Sequence, residues 1–256
     1  IPAFHLLSPE QQAEYLRALH ALVTEDDQPV DNLFAERQQR LLADALETSW
    51  SHPRFGKRFL VAVNVGVFYD LYQPAIVPDL FLSVGVQPRR SAVKQEEKSY
   101  FIWVYGKPPD LVVEVVSNRK GEELGRKAEL YGWMGVRYYV VYDPRGELGA
   151  EALRVMENDP LEGWRAVSGG WLRGLSLGVT LWAGVYGGLE ATWLRWCDQE
   201  GKLLLTGQER AEAEHQRAEA ERERAEAERQ RAEAERQRAE RLEAKLRALG
   251  VDPTDL

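Results

Sequence analysis

Every Trp, Tyr and Phe of the chain lies at or before Trp196, whereas from Arg210 a seven-residue unit, RAEAERQ, repeats with little variation to Arg241. That break separates a stretch able to bury a core from one that cannot. We expect one compact α/β domain over residues 1–205, a charged heptad-repeat helix over 206–249 and a short tail at 250–256. The repeat consists of strong helix formers without Gly or Pro, and Arg210 and Glu214 begin a ladder of opposite charges four and three residues apart. Its alanines stand two residues apart, about 200° around a helix, so they make no zipper seam. Only Ala239, Leu242, Leu246 and Leu249 show the alternating spacing through which two such helices associate. A free charged helix and a coiled-coil dimer both stay open.

Before the repeat, Ser8 caps a helix expected over 8–23, and Leu33, Phe34, Leu41, Leu42 and Leu46 recur on one side of a second, from Asn32 to Trp50. Strands are expected over Phe59–Phe68, Ile76–Val84 and Ser99–Tyr105, from their Val and aromatic content. Leu111–Val116 is so continuously apolar that it belongs at the centre of a sheet covered by helices on both sides. A helix over Glu122–Met134 and a strand over Arg137–Tyr142 then complete a strand–helix–strand unit. A hairpin over Leu153–Met156 and Trp164–Val167 follows, and Gly169-Gly170 opens a looser stretch.

Composition limits the chemistry. Cys197 is the only cysteine, which excludes a disulfide framework and a Cys-rich zinc site. No apolar run is long enough to span a bilayer and the N-terminus has no leader pattern, so the expected location is cytoplasmic, with no membrane partner. The formal net charge of −8 argues against a general attraction to nucleic acid, and the part before Arg210, with 22 basic against 28 acidic residues, is acidic by itself. Local phosphate contacts remain to Arg89-Arg90, Arg119-Lys120 and Arg126-Lys127. His5, His20, His52 and His215 are scattered singles without an assigned role.

Two acidic strand positions and one lysine stand out. Asp110 and Glu114 share a strand face but lie about 13 Å apart at the strand rise, too far to hold one ion together. Glu114 therefore needs a partner from a neighbouring strand, and Asp79 is the natural one. Two carboxylates on adjacent strands suit Mg²⁺, with Mn²⁺ as substitute, because hard cations take oxygen ligands and can activate a water toward a phosphodiester. Leu124, Ala128 and Tyr131 mark the apolar stripe of the helix that follows, which turns Lys127 inward, where its charge needs a carboxylate or a phosphate. Glu123 is a second partner for that lysine. Asp110 alternatively forms the turn leading into its strand, and Tyr131 is read chiefly as packing.

The strings IVPDLFLSV, KPPDLVVEVVSNRKGEELGRKAELY and GVRYYVVYDP, in that order, resemble the PD-(D/E)XK or restriction-endonuclease-like superfamily, specifically its Uma-type branch, over residues 30–195. The resemblance implies a mixed central sheet flanked by helices, followed here by the long C-terminal helix or coiled coil. It implies Mg²⁺ held by Asp79 and Glu114 with the Val115 carbonyl completing the site, and DNA as the substrate. The superfamily's Glu-x-Lys is absent, since Val115 and Val116 follow Glu114. Relatives move the lysine to the next helix, which gives Lys127 that role and leaves Lys120 as the lesser substitute. The superfamily's extra acidic residue on the first core helix corresponds by position to Glu36, or else Glu47.

The resulting reading is a Mg²⁺-dependent endonuclease that hydrolyses DNA, with Asp79, Glu114 and Lys127 as the catalytic set. Its rival is a non-catalytic interaction or assembly protein on a nuclease fold. A helical scaffold anchored by the globular part ranks third. A homodimer through the sheet domain or the C-terminal helix would place two sites for cutting both strands.

Overall fold

The computed structural model describes residues 8–20, 32–87, 98–117 and 123–248. Arg89, Arg90, Arg119, Lys120 and the 250–256 tail lie outside the described residues. The chain divides into two compact units, Ile1–Thr206 and Gly207–Leu256.

Helix α1 (Pro9–His20) is followed by α2 (Leu33–Ser49), which Asn32 caps by accepting the Ala35 N–H at 2.9 Å. Strands β1 (Phe59–Val63), β3 (Leu80–Val84), β5 (Leu111–Val115), β6 (Tyr138–Tyr142), β7 (Leu153–Asp159) and β8 (Gly163–Ala166) form a six-stranded sheet in the order β1-β3-β5-β6-β7-β8. The β5–β6 pair is parallel and joined through α4 (Arg126–Met134), while the other pairs are antiparallel, so the sheet is mixed. The expected β-α-β unit and the 153–167 hairpin are both present.

Alternation along β5 sends Leu111, Val113 and Val115 into a core with Leu42, Ala45 and Leu46 of α2. Val112 and Val116 pack instead with Ala128 and Tyr131 of α4. Helices therefore cover both faces of this strand, and all five of its residues are buried. No helix among the described residues is long and apolar enough to cross a membrane.

Five expectations are corrected, the first being the strand over 76–84, which begins only at Leu80 and leaves Asp79 just before it, Ile76 making an isolated bridge to Val67. The strand over 59–68 is broken into β1 and β2 (Val67–Phe68), because Asn64 turns the backbone to φ 51°, a left-handed conformation that Asn tolerates. Over 99–105 only β4 (Tyr100–Phe101) is extended. Ile102–Tyr105 forms one helical turn, α3, closed by Gly106 at φ 77° and by Tyr105 stacking on Tyr100 at 4.4 Å. The site helix begins at Arg126 rather than Glu122, so Leu124 precedes it and is exposed instead of marking its apolar stripe.

The stretch after Gly169-Gly170 is not loose. It holds β9 (Trp171–Leu172), β10 (Leu177–Tyr186) and β11 (Leu189–Cys197) in a three-stranded antiparallel sheet. Gly187-Gly188, at φ 56° and 76°, supply the left-handed turn that a two-residue hairpin requires. Leu177, Leu194 and Trp196 of this sheet join α2 in the first core.

The second unit is helix α5 (Gly207–Ala248). From Glu214 to Arg241 every side chain is exposed, and ion pairs such as Arg210–Glu214 and Arg236–Glu240, both 3.0 Å, run along its surface.

Candidate active site

Register places Asp79, just before β3, near Glu114 of β5. In the antiparallel β3–β5 pair Leu80 stands opposite Val113, so continuing one residue puts Asp79 across from Glu114. Asp79 does not continue the ladder. Its backbone carbonyl accepts the Asn64 N–H at 3.2 Å, while its Oδ2 accepts the Val115 N–H at 2.6 Å, so a side chain replaces a strand partner where the pairing ends.

The third member arrives from α4. Gly125 opens this helix, Gly135 closes it at φ 84°, and the Trp164 indole pins it by donating to the Ala128 carbonyl at 2.8 Å. One face of α4 then meets the buried Glu114. Lys127 Nζ donates to Glu114 Oε2 at 3.0 Å, and Tyr131 Oη donates to Oε1 at 2.7 Å. Lys127 also lies 3.8 Å from Glu123. Glu123 is itself buried and fixed by Tyr139, whose hydroxyl donates to its backbone carbonyl at 2.8 Å. Glu123 Oε2 has no hydrogen-bond partner among the described residues.

Glu114 is 2 % exposed, and this burial dominates its chemistry. Desolvation pushes its carboxyl up to about 8, against the opposing Lys127 charge and with the Asp79 charge adding to the rise. Burial works against the Lys127 ammonium, but the charge and hydrogen bond of Glu114, followed by the charges of Glu123 and Asp79, outweigh it and hold the group above the ordinary lysine value. That elevation lasts only while Glu114 is ionised, so the two groups titrate as a pair. Burial and the Glu114 charge raise Tyr131 well above an ordinary phenol, which keeps its proton on oxygen as a donor.

The other candidates are placed elsewhere. Glu36 pairs with Arg40 one turn along α2, and Glu47 is exposed, with its backbone carbonyl accepting from Lys57. Asp110 lies at the opposite end of β5, where Oδ2 accepts from Lys107 and from the Val84 N–H at 2.7 Å, as the strand-leading turn requires. Val115 contributes its N–H, already given to Asp79. Arg126 is exposed, and His52 serves the local turn by accepting the Arg54 N–H at 3.1 Å.

Two residues at the site escaped the sequence reading. Gln39 of α2 donates to Asp79 Oδ1 at 2.6 Å, and Asn64 donates to Gln39 Oε1 at 3.0 Å. A signal for the first existed, since Gln38 and Gln39 interrupt the buried stripe Ala35, Leu42, Ala45 and Leu46. Asn64 has no such signature.

Among the described residues no three Asp, Glu, His or Cys side chains are spaced as a metal cage. A pair is nevertheless enough for Mg²⁺, which keeps several waters and takes one or two protein carboxylates. The donor set fits a hard divalent cation: the Asp79 charge bears on the Glu114 carboxyl at the end of the β3–β5 pairing, the buried carboxyl is disfavoured as an anion, and Glu123 Oε2 is buried without a donor.

Residues 24–162 match the family model Uma2, described as "Putative restriction endonuclease". No curated protein matches the chain.

Proposed function

The chain belongs to the Uma2 family, which matches more than half of its length, and from that premise we propose that it is a divalent-metal-dependent nuclease hydrolysing DNA phosphodiester bonds. The observation that carries the reading is Glu114, a carboxylate buried in the sheet, clasped by Lys127 and Tyr131 and facing the charge of Asp79. A structural ion pair needs no second like charge beside it.

Asp79 and Glu114 would hold Mg²⁺ or Mn²⁺, with the Val115 carbonyl as a further oxygen. The cation would polarise the phosphoryl group and lower the pKa of a water. The remaining work falls to the chain. The Val115 N–H aims one oxygen of Asp79, and Tyr131 does the same for Glu114. Lys127 is 28 % exposed, so the side chain is not sealed from solvent, and its ammonium would hold the substrate phosphate and offset the charge that grows on phosphorus. Glu123, 3.8 Å from the ammonium, adds a second negative charge beside it.

The rival, a non-catalytic interaction protein, draws on the net charge of −8 and the exposed helix α5. Cleavage of supercoiled, linear and single-stranded DNA with Mg²⁺ or Mn²⁺ separates the two. The nuclease reading expects metal-dependent cutting that Glu114→Ala and Lys127→Ala each reduce at least about 100-fold. Absence of cutting on all three substrates, or cutting that survives both changes, puts the interaction protein first.

A further inference from the structure

We infer that Gln39 is a positioning residue for Asp79, and that Asn64 in turn fixes which way the Gln39 amide points. The inference deepens the metal-site reading above and rests on it.

Helix α2 buries two consecutive glutamines with different employment. Gln38 closes a two-way bond with Leu194 of β11, donating to its carbonyl at 2.8 Å and accepting its N–H at 2.9 Å. That gives both polar atoms of the amide a partner within the core and explains Gln38 as packing of the hairpin onto α2. Gln39, 2 % exposed and about 100° further around the helix, is turned toward Asp79. Its Nε2 donates to Asp79 Oδ1 at 2.6 Å, and reaches Asn64 Oδ1 at 3.3 Å. Its Oε1 accepts from Asn64 Nδ2 at 3.0 Å.

The carboxylate and the reciprocal pair with Asn64 decide the orientation. Because the carboxylate only accepts, the Gln39 NH₂ faces it; the flipped amide would set oxygen against Asp79 Oδ1 and nitrogen against Asn64 Nδ2, and the reciprocal bonds with Asn64 hold the amide in the productive orientation. Asn64 holds this place from a left-handed backbone position at φ 51°, in the break between β1 and β2, where its own N–H donates to the Asp79 carbonyl. The network therefore grips Asp79 at three points: Oδ1 from α2, Oδ2 from β5 through Val115, and the backbone from Asn64.

Chemistry gives a reason for an amide here. A carboxylate at position 39 would bring another negative charge to a place that already holds Asp79 and Glu114. The amide NH₂ cannot ligate a cation. It can only donate, and donation to one oxygen sets the plane of the carboxylate that would receive the metal. Partners of this kind, one bond removed from the metal, typically affect its affinity by about 10–100-fold.

The test is Mn²⁺ binding to the whole chain, followed by titration calorimetry and by the fraction of free-ion electron spin resonance signal, together with the metal-free melting temperature. Gln39→Leu keeps the volume and removes the donor. Asn64→Gly removes the second amide while accepting the left-handed backbone without strain. The inference expects the Mn²⁺ Kd to rise about 10–100-fold in Gln39→Leu, and by a smaller factor in Asn64→Gly, whatever happens to the metal-free melting temperature. A lowered melting temperature with an unchanged Kd in Gln39→Leu would mean a structural amide and overturn the inference. Should that variant fail to fold, an unchanged Kd in Asn64→Gly overturns it instead. Wild-type protein that binds no Mn²⁺ removes the metal reading itself, a result distinct from wild-type binding that the variants share.

Discussion

Strand β5 has a carboxylate paired with a lysine at each end, and the two pairs have little else in common. At the start, Asp110 is bonded to Lys107 and to the Val84 N–H, with one fifth of its side chain in solvent. At the other end Glu114 is 2 % exposed, its second oxygen is taken by Tyr131, and a like charge, Asp79, stands just before the neighbouring strand. The same two chemical groups, a carboxylate and an ammonium, thus serve different ends. Where water still reaches the carboxylate and a backbone N–H completes its bonding, the pair fastens a turn. Where water is excluded and a second carboxylate is near, the carboxyl resists ionisation, and a cation is the natural partner for the charge it gives up its proton to carry.

Exchanging the lysines gives the widest separation. Lys127→Met should lower metal-dependent DNA cleavage by about 10²–10³-fold, the usual cost of losing a group that stabilises growing charge. Lys107→Met should leave the rate within about twofold and instead reduce stability in urea by about 1–3 kcal/mol, since Asp110 loses its countercharge in a part-buried position. Equal losses of rate at both positions would abolish the distinction between the two ends.

Acidity sharpens the comparison next. A carboxyl raised from 4.5 to about 8 keeps its proton in the folded chain where the unfolded chain has lost it. Between those two values the folded state binds more protons, so stability falls as pH rises, by up to about 1.4 kcal/mol per pH unit, and levels off above about 8. Melting of the metal-free protein should therefore drop from pH 5.5 to pH 8, and Glu114→Gln should flatten that part of the profile. Mn²⁺ should displace a proton from Glu114 below pH 8, so its apparent affinity should climb with pH up to that point. A profile identical in wild type and Glu114→Gln would show that the buried carboxyl is not the group that titrates.

How much of this was readable beforehand follows from range. Glu114 and Asp79 could be paired from sequence because strand alternation and continuous apolar flanks are local and fix both face and depth. Lys127 turns inward by sequence because it stands one turn before Tyr131, even though Leu124, which shares the stripe by spacing, lies outside the helix. The contribution of Gln39 was hidden because it depends on a left-handed Asn64 twenty-five residues away, and no periodicity records a backbone kink. Glu36 was the expected acidic residue on α2, but the helix turns it to Arg40 and presents an amide to Asp79 instead. The β10–β11 hairpin was missed for a related reason: its Gly187-Gly188 reads as looseness, while the left-handed angles there make the turn that closes two long strands.

Helix α5 extends the comparison to full exposure. Arg236 and Glu240 are 3.0 Å apart, closely matching the Lys127–Glu114 distance, yet 81 % and 62 % of their side chains are in solvent. Neither charge has lost its water, so pairing changes little and salt screens what remains. Arg236→Gln should leave the melting temperature within about 1 °C, and the small loss of helical circular dichroism should shrink further in 1 M salt as screening weakens the pairs that remain. The Glu114-dependent pH slope should persist in the same salt, because counterions cannot enter where water does not. A salt-insensitive loss on Arg236→Gln would mean that this arginine carries a role that an exposed i,i+4 pair cannot provide.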